Sequence, residues 1–329
     1  MKTCLISRMG ALGDCLHASH LPKLIKEHYK VDRIDFDTSI RGKDILLNNP
    51  YIDNLKVIDT EYLPTEQLVS RWQYQEDTYD LVFNLIHTIE LKYCCLENDH
   101  RYFRNDKYRR ERFGKMNYYD VMTEACNLPE SYFGTRGMMY YDQKYHAMAK
   151  EWIEKKRKEY DADWVILVCL SGSSLHKRFQ QADSICKKIL EKYPKCLIVL
   201  TGGDEFLPEV TTHPRIIDKS NKWNFRTVAL QSKYFDFVIS PETGLVCVSH
   251  MWDTPTLQLL TAASWDNHIK YAKNAYWVKS PCYCSPCHKS PQMYYGCPTK
   301  DRFPACIFFN EDEIMAKVEE AYERKSQVP

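Results

Sequence analysis

The sequence predicts an α/β protein built from two doubly wound domains in series. Three observations lead there. At 329 residues the chain is longer than the range over which one hydrophobic core keeps growing. Short apolar runs alternate with stretches of helical periodicity, the order that builds parallel sheets. The alternation also breaks at a charged connector and then restarts, with a loop of small residues after the first strand of each half.

In the first half, residues 2–7 form a strand-like run. A glycine-bearing loop follows, then a helical pattern from Cys15 to Tyr29 in which Leu16, His20, Leu21, Leu24 and Ile25 recur at helical spacing. Strands are expected at 33–37 and 54–58, around a helix at 41–48 that stops at Asn49-Pro50. The run 80–86 (DLVFNLI) reads as a strand buried on both faces. Residues 144–159 (KYHAMAKEWIEKKRKE) read as the charged connector. Beyond it the sequence predicts strands at 164–170, 196–201, 235–240 and 255–260, and helices at 180–192 and 245–252. An amphipathic helix at 310–325 carries Ile314, Val318 and Ala321 on one side. The expected division is 1–155 and 156–310.

Composition narrows the function classes. The 45 basic and 44 acidic side chains nearly cancel, so net charge gives no sign of a general nucleic-acid binder. Mean hydropathy is −0.51 and no run of 18 apolar residues occurs, which argues against a membrane span. The N-terminal apolar stretch is cut short by Arg8 and Asp14, unlike a signal peptide. A cytoplasmic protein is expected, with its 14 cysteines reduced.

Three loops could carry chemistry. In MGALGD (9–14), Gly10 and Gly13 allow unusual dihedrals and close ligand approach. Asp14 lies beyond a strand's carboxyl end, where α/β proteins bind substrates; the same residue is also a preferred helix cap, and spacing alone leaves both readings open. In SGSSLHKRF (171–179), Ser171, Ser173 and Ser174 offer hydroxyls, backbone N–H groups are exposed and Lys177 adds charge. That set suits a phosphate, although the loop also fits a plain polar surface turn and lacks P-loop spacing. In SPETGLVCVSHMWDTPT (240–256), Glu242 could hold ribose hydroxyls, while Thr243 and Gly244 could meet a phosphate at a helix start. Together the three loops would line one cleft.

These segments resemble glycosyltransferase family 9, the ADP-heptose:lipopolysaccharide heptosyltransferases and their relatives. RMGALGDCLHASHLPKLIKE resembles the family's first loop and helix, NNPYIDNLKVID and YDLVFNLIHT its next strands, and SPETGLVCVSHMWDTPT its donor-site turn. The resemblance implies a GT-B fold of two Rossmann-like domains, a C-terminal helix (311–329) that returns to the first domain, and inverting sugar transfer without a metal. It casts Asp14 as the base that deprotonates the acceptor hydroxyl. Ser173, Ser174 and Lys177 become contacts of the donor's diphosphate, and Thr243 and Gly244 the phosphate turn. Two departures stand out: Glu242 where the family has Asp, and Cys247 where it has His. A nucleoside-diphosphate sugar is the implied donor. The implied acceptor is an anionic saccharide of the lipopolysaccharide type. A phage-type enzyme that glycosylates hydroxymethylated DNA bases is an alternative, as is a non-catalytic nucleotide-sugar binder.

Two further segments stand apart. Residues 101–115 hold seven basic and two acidic side chains among four aromatic rings. Arg101, Arg104, Arg109, Arg110 and Arg112 are therefore candidates for contacting an anionic acceptor, whether saccharide or DNA. Cys284, Cys287, Cys297 and Cys306, with Cys282 beside them, match the ligand count of a structural zinc site. Reduced or disulfide-linked cysteines in a long loop are the other reading.

Overall fold

The structure, a computed structural model, describes residues 1–58, 65–86, 88–89, 114–202, 209–287 and 304–327. It divides into two compact units, residues 1–141 with 266–271, and residues 142–265 with 272–329. The expected basic block at 101–115 falls almost wholly outside the described residues. Arg101, Arg104, Arg109, Arg110 and Arg112 are all outside, and so is Cys297.

The first unit contains a parallel sheet of β1 (Thr3–Arg8), β2 (Arg33–Thr38), β3 (Asn54–Val57) and β4 (Leu81–Asn84), in the order β3-β2-β1-β4. The chain runs outward from β1 to β3 and then returns to the other side of β1. The switch point between β1 and β4 is where such a sheet opens a crevice at its carboxyl ends. The predicted continuous helix from Cys15 to Tyr29 is two helices, Leu12–Ala18 and Leu21–Tyr29. Pro22 opens the second at a position a helix tolerates. The segment 266–271 joins this unit through side chains: Asn267 donates to Met116 O (2.9 Å) and the Tyr271 hydroxyl to Asp120 (2.6 Å).

The second unit holds a six-stranded parallel sheet of β5 (Trp164–Cys169), β6 (Cys196–Thr201), β7 (Ile216–Asp218), β8 (Phe237–Pro241), β9 (Thr256–Leu260) and β10 (Ala275–Lys279). Their order is β10-β9-β8-β5-β6-β7. WVILVC and CLIVLT are buried along their whole length, as expected of strands covered on both faces. The switch point lies between β5 and β8.

Two boundaries differ from the sequence expectation. The helix Gln143–Tyr160 belongs with the second unit, because its Ile153 packs in one core with Val165, Leu167 and Val199. The C-terminal helix Glu311–Ser326 belongs with the second unit, where the resemblance implies the first. Its Ile314, Val318 and Ala321 are buried with Trp164, Ile185 and Ile189. Glu311 anchors it, accepting from Ser184 Oγ (2.6 Å) and pairing with Lys188 (2.9 Å). The apolar stripe at i, i+4, i+7 was legible; which sheet it would cover was not. Among the described residues no helix is long and apolar enough to cross a membrane.

Candidate functional site

In the first unit the loop after β1 turns at Gly10, whose φ of 115° suits glycine and strains other residues. The helix starts at Leu12, so Gly13 and Asp14 lie in its first turn. Asp14 is the third helical residue, and its Oδ2 accepts the Ala11 N–H at 3.0 Å. Asp14 is thus not the N-cap residue itself, a place Ala11 takes, but its carboxylate caps the helix from the third position and keeps 24% side-chain exposure. The sequence reading missed its partner. Arg8, fully buried at the end of β1, places Nη2 3.6 Å from Asp14 Oδ1 and donates from Nη1 to Leu85 O (3.0 Å), just past β4. A guanidinium stays charged in a protein, so a fixed positive charge stands beside the Asp14 carboxylate. A lone arginine ending an apolar strand was the available signal. The loop is braced by Ser39 Oγ donating to Gly10 O (3.1 Å) and Thr38 Oγ1 to Arg8 O (2.9 Å).

In the second unit, the loops after β5 and β8 meet because those strands are neighbours. A Cβ on Gly172 would stand 2.9 Å from Thr243 Cγ2 and 3.0 Å from Lys177 Cβ. Glycine is thus what lets the two loops close on each other. The first loop is a tight hairpin: Gly172 N–H donates to Lys177 O (2.9 Å), and Lys177 N–H to Ser174 O (2.9 Å). A 3-10 turn, Leu175–Lys177, separates it from the helix Ala182–Lys192, so this loop does not lead straight into a helix start as expected. Ser173 is exposed, while Ser174 and Lys177 are half-buried. His176 stands between them, 3.3 Å from Ser174 Oγ, its pKa lowered to about 4 by burial and then by Lys177.

In the second loop, Thr243 immediately precedes the helix Gly244–Met251, and its Oγ1 lies 2.9 Å from Ser240 Oγ. Glu242 corrects the sequence expectation. It was read as a ribose holder, yet it is buried at 6% exposure and both its oxygens face backbone donors. Oε1 accepts the N–H of Thr261 (2.6 Å) and Ala263 (2.9 Å), and Oε2 that of Ala262 (3.3 Å). Those three donors form the turn after β9. Burial raises the Glu242 carboxyl above its ordinary range, against the opposing pull of the backbone N–H groups and Lys177. Glu242 thus fixes the Pro241–Gly244 loop to the next strand, and the longer side chain is what reaches it. Cys247 is buried on the following helix.

Of the predicted zinc ligands, Cys284, Cys287 and Cys306 are described and Cys297 is not. Cys284 and Cys287 share one turn, and Cys306 lies in a separate 3-10 turn, Ala305–Ile307. No three cysteine sulfurs of the described residues lie within 4.8 Å of one another.

No protein-family profile and no curated protein sequence matches the chain. Solved structures do. A glycosyl transferase family 9 protein from Veillonella parvula is 13% identical with a TM-score of 0.65, covering 98% of this chain and 97% of its own. The iron-containing dodecameric glycosyltransferase TibC from enterotoxigenic E. coli is 12% identical with a TM-score of 0.64, over 98% of this chain and 78% of its own. E. coli heptosyltransferase WaaC, solved with ADP-2-deoxy-2-fluoro heptose, is 12% identical with a TM-score of 0.53, over 97% and 99%. The chain therefore has the two-unit α/β fold of these glycosyltransferases, the GT-B class that the family resemblance implies.

Proposed function

We propose that the chain is a glycosyltransferase of the family 9 type, moving a sugar from a nucleoside-diphosphate donor to a hydroxyl of an anionic acceptor. The observation that carries this reading is the junction at the β5/β8 switch point. There Gly172 brings Lys177 of one loop against Thr243 of the other, beside the first N–H groups of the helix Gly244–Met251. A lysine with helix N-terminal N–H groups is a fitting counter-surface for a diphosphate. The same groups stabilise the charge that develops on the departing nucleoside diphosphate. Fold alone does not set activity, and the site chemistry supports this one.

Asp14 takes the proton from the acceptor hydroxyl as that oxygen attacks the anomeric carbon. The diphosphate leaves from the opposite face, so configuration inverts. Positive charge at the leaving group comes from Lys177 and backbone N–H groups, and this reading routes no step through a metal. The solved relatives that hold ADP-sugars favour an adenosine donor. A lipopolysaccharide-type saccharide is the expected acceptor, and the protein is expected to act in the cytoplasm.

The test is a thermal-shift screen with ADP, UDP and GDP. A ligand at 100 times its Kd stabilises the native state by about 2.7 kcal/mol. One of the three is expected to raise Tm in the parent and to lose that effect in Lys177→Gln. No shift with any of them contradicts the reading. Saccharide and hydroxymethylated-DNA acceptors are then compared directly.

A further inference from the structure

The described cysteines fall into two groups. Cys4, Cys15, Cys126, Cys169, Cys186, Cys196 and Cys247 are buried, whereas Cys282, Cys284, Cys287 and Cys306 are half-exposed. Within the second group Cys282 Sγ and Cys284 Sγ lie 3.5 Å apart. Tyr283 between them is 79% exposed, so the turn that carries the pair stands open to small solutes.

We propose that Cys282 and Cys284 form a modification site, which a hydroperoxide oxidises to a disulfide within the turn, and that this closure weakens the nucleoside-diphosphate subsite. The second clause rests on the function proposed above; the first does not.

The chemistry balances with the peroxide as sole oxidant. One cysteine, as thiolate, attacks a peroxide oxygen; the O–O bond breaks, and the products are a sulfenic acid and water, or an alcohol from an organic peroxide. The neighbouring thiol then attacks the sulfenic sulfur, the S–S bond forms and water leaves. Two thiols have lost two protons and two electrons, and the peroxide has gained them. A disulfide holds its sulfurs about 2.05 Å apart, so the pair must draw together from 3.5 Å and the turn must tighten.

The turn is not isolated. Cys282 N–H donates to Ser280 Oγ (3.2 Å), and Ser285 N–H to Cys282 O (3.0 Å). Ser280 N–H donates to Leu260 O (2.8 Å), and Ser285 Oγ to Thr261 O (2.6 Å). Thr261 is the residue whose N–H holds Glu242 at 2.6 Å, and Glu242 precedes Thr243. A chain of hydrogen bonds thus runs from the half-exposed cysteine pair to the candidate phosphate turn, buried from Ser285 (8% exposure) to Glu242.

The experiment treats the full chain with hydrogen peroxide, maps the peptides by mass, and measures nucleoside-diphosphate affinity by calorimetry before and after dithiothreitol. The expected result is loss of two hydrogens from the peptide carrying Cys282 and Cys284. Affinity should be at least about threefold weaker and restored by the reductant. Cys284→Ser should fold and bind like the reduced parent and be insensitive to the same treatment. A Cys282–Cys284 disulfide that leaves affinity unchanged overturns the coupling. Absence of that disulfide, with oxidation elsewhere, overturns the site. A purified chain whose cysteines react only after a bound metal ion is stripped overturns it in favour of a thiolate metal site. If the reduced parent binds no nucleoside diphosphate, the proposed function fails, while the peptide map still decides the modification site.

Discussion

Replacing Glu242 tests the account of how the donor loop is built. Its carboxylate accepts three backbone N–H groups, two of them through Oε1 alone. Glu242→Ala leaves three donors without an acceptor in a site only 6% exposed, at about 1–3 kcal/mol each. Part of that is offset, because burying the charge is itself unfavourable, as the raised pKa of Glu242 records. Water entering the vacated space offsets more, leaving an expected loss of about 2–5 kcal/mol. Glu242→Gln behaves differently. Its amide oxygen can keep the Thr261 and Ala263 bonds as neutral ones and gives up only the 3.3 Å bond to Ala262, so about 1–2 kcal/mol is expected. Urea unfolding monitored by circular dichroism gives both numbers from the midpoints. An alanine variant within about 0.5 kcal/mol of the parent refutes the reasoning, and so does a glutamine variant as unstable as the alanine one.

Other expectations follow from single contacts. Gly172→Val places a side chain against Thr243 and Lys177; about 1–3 kcal/mol of overpacking should appear as roughly tenfold weaker nucleoside-diphosphate binding by calorimetry. Gly10→Ala puts a Cβ on a residue with φ 115° and should cost about 1–3 kcal/mol in thermal unfolding. His20 is buried against Thr123 Oγ1 at 2.9 Å, and burial lowers its pKa from 6.5 to about 3. The unfolded chain therefore binds a proton below pH 6.5 that the folded chain refuses. Its contribution is intact above pH 6.5 and is lost as pH falls towards 3, by about 2 kcal/mol at pH 5. His20→Gln should flatten the stability profile across that window; an unchanged slope would remove His20 as its source.

Much of this architecture was legible because parallel strands buried on both faces advertise themselves as apolar runs, as WVILVC and CLIVLT do. The site loops were legible because small residues follow those runs directly. Long-range choices were not. The stripe of Ile314, Val318 and Ala321 says that a helix is covered, but not by which sheet, since either would bury the same area. Glu242 shows the same limit: a carboxylate at a strand end suits a ribose or a neighbouring turn equally, and only the position of the Thr261–Ala263 N–H groups decides. Arg8 was passed over because its partner Asp14 is six residues on, across a turn whose shape depends on the φ of Gly10.

The proposed catalytic role of Asp14 is the claim on which the functional reading turns. The most direct measurement is sugar transfer by Asp14→Asn, alongside its nucleoside-diphosphate affinity. Asparagine is nearly isosteric, and its amide oxygen can still accept the Ala11 N–H that Oδ2 accepts now, but it cannot take the acceptor's proton. The account predicts that turnover falls about 10²–10⁴-fold while the affinity stays within about twofold of the parent. Transfer at the parent's rate would contradict it.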